Sequence, residues 1–73
     1  MNRIEQLQKS HPELTEEGAR MLCFAIYHSL NTENDLSPMS REFQGLMDKE
    51  TKRLCQLDRD VVLGAEKELT KMR

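Results

Sequence analysis

The sequence predicts an all-α protein: a small helical bundle with a short N-terminal helix, an apolar central helix and a long or broken C-terminal helix, completed by oligomerisation. Residues 21–27 are all apolar in a chain of which 33% is charged. Serine and threonine residues precede the apolar segments at positions typical of helix starts. In the second half of the chain, apolar residues recur every three or four positions, the spacing of one helix face. The 73 residues suffice for one domain, residues 1–73.

The first two helices follow from local signals near the N-terminus. Ile4 and Leu7 share one face of a short amphipathic helix. Two starts compete for the next helix. The segment Ser10–Glu13 matches a capping box with a proline at a tolerated first-turn position. Thr15, which two glutamates follow, is the rival.

The central helix carries the apolar run 21–27 and is expected to end near Leu30, with Asn31 as its cap. A helix with one buried face would show polar residues within such a run, whereas these seven apolar residues occupy every direction around the axis. The central helix therefore needs cover from more than one side.

The C-terminal half is predicted to be helical from Pro38, because Ser37 directly before it is a suitable cap. One straight helix from Pro38 to Met72 would be about 50 Å long and would extend past the central helix. Two arrangements remain open. The chain breaks near residues 58–60, where an aspartate caps a fourth short helix that folds back, or the projecting end packs on a second chain.

These expectations divide the apolar residues into two groups. The first lies on the central helix and on the near part of the C-terminal helix, and is expected to anchor the core: Leu22, Phe24, Ile26, Tyr27, Phe43, Met47, Leu54 and Leu57. The second lies on the projecting end and is expected to bind a partner: Val62, Leu63, Leu69 and Met72.

No catalytic, cofactor or metal site is predicted. The side chains that could bind zinc, namely His11, Cys23, His28 and Cys55, lack the closely spaced pairs typical of structural zinc sites. The cysteines are expected to be free thiols. With three aromatic residues and no arranged nucleophile and base, the chain is not expected to be an enzyme or to bind a small-molecule substrate.

Composition favours a protein partner. The net charge of -2 and a pI near 5.6 argue against attraction to phosphate backbones or anionic membranes. The polar start and the short apolar runs predict a cytoplasmic protein without a membrane span. We therefore expect an interaction module, such as an adaptor, inhibitor or chaperone-like regulator, that acts through an apolar helix face and forms a homo-oligomer.

The alternative is a small dimeric helical DNA-binding regulator. The predicted C-terminal helix follows a loop and carries Arg41, Lys49, Lys52 and Arg53, as a recognition helix could. Acidic residues interrupt this cluster, however, which limits the gain from counterion release. Nucleic-acid binding is therefore the weaker expectation.

Overall fold

Four α-helices make up the computed structural model, which describes residues 2–71. They are α1 (Arg3–Ser10), α2 (Glu16–Glu33), α3 (Arg41–Gln56) and α4 (Arg59–Lys71). No strand occurs in the described part of the chain. The predicted all-α class is confirmed.

The start of α2 is the second of the two predicted positions. The Thr15 hydroxyl oxygen accepts a hydrogen bond from the Gly18 amide at 2.9 Å, which satisfies a first-turn donor. Ser10 is instead the last residue of α1. The capping-box pattern at Ser10–Glu13 therefore does not start a helix.

Both helix boundaries around the next loop differ from expectation. Asn34 rather than Asn31 ends α2, because its backbone and side-chain amides both donate to the Leu30 carbonyl, at 2.9 and 3.1 Å. Ser40 rather than Ser37 starts α3, because its hydroxyl oxygen accepts from the Phe43 amide at 3.1 Å. Each correction moves the boundary by about one helical turn.

The C-terminal half is broken, so the single straight helix is wrong and the fold-back arrangement is correct. Leu57 ends α3 in an extended conformation, with φ -74° and ψ 157°. The Asp58 carbonyl then accepts from the Val61 and Val62 amides at 3.1 and 3.2 Å, at the first turn of α4. This corner turns α4 back onto α2.

The helix α2 is the centre of the packing. It contacts α1, α3 and α4, and α1 also packs on α3, whereas neither α1 nor α3 packs extensively on α4. Its buried residues join two apolar clusters. The larger cluster contains Leu7, Leu14, Ala19, Leu22 and Val62, and the smaller contains Leu30, Phe43 and Met47.

Most predicted core anchors lie where expected, but two do not. Leu22, Phe43 and Met47 are buried, whereas the others that contact the clusters, Ile26, Leu54 and Leu57, are half-buried. Phe24 is 68% exposed and Tyr27 is 36% exposed, so Phe24 is not a core anchor and Tyr27 is only a marginal one. The Tyr27 ring meets the Phe43 ring edge-on, with centroids 5.4 Å apart. The neighbours of α2 cover one side of its apolar run and leave the other open.

The predicted partner-binding group also needs correction. Val62 is fully buried in the larger cluster, and Leu63 and Leu69 are half-buried against it. The reason is the corner at Leu57 and Asp58, which turns this face of α4 inward. Met72 lies outside the described residues.

Two of the polar contacts between distant parts of the chain involve the loop before α2. The buried His11 ring donates through Nε2 to the Leu54 carbonyl at 2.9 Å, linking the loop before α2 to the end of α3. The Glu66 carboxylate of α4 accepts from the Thr15 amide at 3.3 Å. It lies over Gly18, where a Cβ atom would overlap it, so this glycine permits the close approach.

We predict that Val62→Ala lowers the free energy of unfolding by about 2 kcal/mol, because it removes two buried methyl groups and leaves a cavity. Val61→Ala is the matched control on the same helix: Val61 is 56% exposed, and its change should stay within about 0.5 kcal/mol. Urea unfolding followed by circular dichroism measures both. Equal effects of the two substitutions would contradict the orientation of α4.

We also predict that His11→Leu destabilises the fold by about 1 to 2 kcal/mol, because it removes the donor to the Leu54 carbonyl in a buried setting. His11→Gln, which can return an N–H to a similar position, should recover part of this loss. Thermal or urea unfolding of the three proteins is the test. If the glutamine variant were no more stable than the leucine variant, the hydrogen bond would contribute nothing.

Candidate functional site

One side of α2 is left open by the other helices of residues 2–71 and presents an apolar surface. Phe24 is its most exposed large side chain, and it adjoins the half-buried Met21 and Ala25 of α2 and Leu69 of α4. We call these four residues the α2 apolar face. They line a groove of about 550 Å³. The Phe24 ring is parallel to the His28 ring within 7°, with centroids 6.4 Å apart.

A second groove of about 630 Å³ lies between α3 and α4, with α2 as its floor. It exists because the corner at Leu57 sends the two helices apart, so that both pack on α2 and hardly on each other. We call it the interhelical groove. Its apolar lining comes from three helices: Leu22, Ala25, Ile26 and Leu30 of α2, Leu54 of α3, and Ala65 and Leu69 of α4.

The two grooves form one continuous surface. Ala25, Ser29, Glu33 and Leu69 line both of them. An apolar side chain or helix placed on the surface could therefore contact the Phe24 side and the interhelical groove together. This combination of an apolar floor and a polar rim is typical of binding sites.

The rim of the interhelical groove is acidic. It carries Glu33 of α2, Glu50 and Arg53 of α3, and Glu68 of α4. Arg53 Nε lies 3.0 Å from Glu50 Oε2, so these two charges compensate each other. Within residues 2–71, no ion pair involves Glu33 or Glu68. Two carboxylates without an ion-pair partner among the described residues therefore lie beside an apolar floor.

This surface differs from the one that sequence reasoning assigned to a partner. Of the predicted partner-binding residues that are described, only Leu69 lines it, whereas Val62 and Leu63 do not. Phe24 was assigned to the core and Met21 to neither group. The signal that could have identified them is the run 21–27 itself, since a helix that is apolar on every side and has neighbours on one side leaves an apolar face open.

The two cysteines line neither groove. Both are free thiols, half-buried against the larger cluster. Burial raises the pKa of the Cys23 thiol, the positive charge of Arg3 opposes this effect, and the nearby Cys55 adds to it. The Cys55 thiol donates weakly to the Gln6 carbonyl at 3.7 Å.

No group of three or more His, Cys, Asp and Glu side chains within residues 2–71 is arranged to bind a metal ion. None of the helices in this range combines the length and apolar character needed to cross a bilayer. Comparison of the chain with protein-family models, with curated proteins and with solved structures finds no match.

Cys23 provides a test of this part of the structure. In the Cys55→Ser variant, alkylation of Cys23 should accelerate at a higher pH in the folded protein than in the urea-unfolded chain, because burial favours the neutral thiol and the thiolate is the nucleophile. The pH profile of the alkylation rate measures this.

The raised pKa of the Cys23 thiol also makes the free energy of unfolding depend on pH. Because the folded pKa is raised, the contribution of Cys23 is fully present below the pKa of the unfolded chain and is lost as the pH rises through the pKa of the folded state. An alkylation midpoint equal to that of the unfolded chain would contradict the burial of this thiol.

Proposed function

We propose that this chain is a protein-interaction module, in the manner of an adaptor, inhibitor or chaperone-like regulator, that binds a helix of another protein on the α2 apolar face and in the interhelical groove. The observation that carries the proposal is the exposure of Phe24 on one side of a continuous apolar surface. Large exposed apolar patches with polar rims mark interaction sites. No catalytic step is part of the proposal.

A helix is the partner element that fits this surface best. The interhelical groove has α2 as its floor and α3 and α4 as walls, so a bound helix would complete the cover that α2 lacks. An amphipathic helix presents apolar residues at positions i, i+3, i+4 and i+7, which can follow such a floor. Burying a Phe or Met side chain contributes about 1.5 to 3 kcal/mol, so Phe24 and Met21 are the expected anchors.

Self-association is the other way to cover the same face. A second copy could place its own α2 apolar face against the first, which would give the homo-oligomer expected from the sequence. A cytoplasmic location is also part of the proposal. It is supported by the two cysteines, which are free thiols, as is usual in a reducing compartment.

Binding of DNA receives less support. Arg41, Lys49 and Lys52 are exposed on α3, but Glu42 and Asp48 are exposed on the same helix. A surface of mixed sign gains little from contact with phosphates. We therefore propose no second function.

The proposal is tested with a display library of helical peptides that are randomised on one face and selected on the wild-type protein. Phe24→Ser should weaken binding of the selected peptides by about tenfold or more, because it removes the largest exposed anchor. Its free energy of unfolding should stay within about 0.5 kcal/mol of wild type. Titration calorimetry measures binding and urea unfolding measures stability.

Met39→Ser is the matched control. Met39 is 90% exposed but lines neither groove, so its replacement should leave peptide affinity unchanged. The proposal is wrong if the library yields no binder, or if the selected peptides bind the Phe24→Ser variant as tightly as the wild type.

A further inference from the structure

The charges around the interhelical groove restrict which helix can occupy it. Arg53 is matched by Glu50 at 3.0 Å, and Arg20, near Phe24, is matched by Glu16 at 2.7 Å. Each of these two arginines is thus already paired with a carboxylate. The carboxylates of Glu33 and Glu68 are exposed on the rim and, within residues 2–71, have no cationic partner.

We infer that the occupant of the interhelical groove is an amphipathic helix of another protein with lysine or arginine residues beside its apolar stripe. This inference rests on the proposed function and adds the partner's charge. Glu33 lies on α2 and Glu68 on α4, so both carboxylates border the apolar floor on which the stripe would sit. Lysine and arginine suit such positions because their aliphatic stems can cover apolar surface while their charged ends reach the carboxylates.

A second copy of this chain is a poorer occupant on the same grounds. It carries a net charge of -2, and its own groove brings another Glu33 and Glu68 to a symmetric contact. Like charges placed across an interface oppose association. Lys67 and Lys71 of α4 adjoin Glu68 in a neighbouring surface depression, but neither lysine lines the interhelical groove or forms an ion pair with Glu68 within residues 2–71.

The test uses three synthetic versions of one selected peptide, each about 16 residues long and so about 24 Å as a helix. They share the apolar stripe and differ only at the flanking positions, which are lysine, glutamine or glutamate. At low ionic strength the lysine peptide should bind wild type about tenfold more tightly than the glutamate peptide. The difference should shrink at high salt, because rim charges are screened.

Charge reversal in the protein completes the test. The double variant Glu33→Lys, Glu68→Lys should bind the glutamate peptide more tightly than the lysine peptide. Glu5→Lys is the matched control, because it reverses a charge on α1, and no α1 residue within the described chain lines either groove. The control should keep the wild-type order of affinities.

The outcomes separate the inference from the function on which it rests. If none of the three peptides binds wild type, the proposed function is wrong. If all three bind equally, or the glutamate peptide binds best, the groove binds helices but the charge assignment is wrong. If light scattering shows a dimer that Phe24→Ser dissociates, the occupant is a second copy and the inference of a basic partner is overturned.

Discussion

The constraint on which the rest of the structure depends is the cover of α2. Its residues 21–27 are apolar on every side, yet within residues 2–71 only α1, α3 and α4 pack on it. Those three helices bury Leu22 and Ala19 and leave Phe24 in contact with solvent. The chain therefore has a well-packed core on one side of α2 and an open apolar face on the other. The energy that would be gained by covering this face is available to a binding partner.

The corner at Leu57 and Asp58 decides the shape of that open side. By turning α4 back onto α2, it buries Val62 and adds cover to the larger cluster. The same turn directs α3 and α4 apart, and the interhelical groove is the gap that results. The burial of Val62 and the opening of the interhelical groove thus both result from this corner. Glu66 also joins α4 to the start of α2, through its hydrogen bond with the Thr15 amide beside Gly18.

Sequence reasoning identified the helical class and the unusual character of α2, because periodicity and capping residues are local signals. Such signals do not determine which side of a helix packs against its neighbours and which side faces solvent. Phe24 and Leu22 belong to one apolar run, and only the placement of the neighbouring helices decides that Leu22 is buried and Phe24 exposed. Val61 and Val62 present the same ambiguity on α4. The corner between α3 and α4 could not be predicted with certainty, because no glycine or proline marks it in the sequence. The acidic rim could not be predicted either, because its residues come from α2, α3 and α4 and only the fold brings them together.

The most direct test of this account is the solvent exposure of individual side chains in solution. Side-chain NMR signals of the dilute protein can be recorded with and without a soluble paramagnetic agent, which broadens signals of exposed groups. We expect strong broadening for the exposed Phe24 ring and none for the buried Val62 methyl groups. Protection of Phe24 together with broadening of Val62 would show that α2 and α4 present other faces to solvent, and would contradict the account.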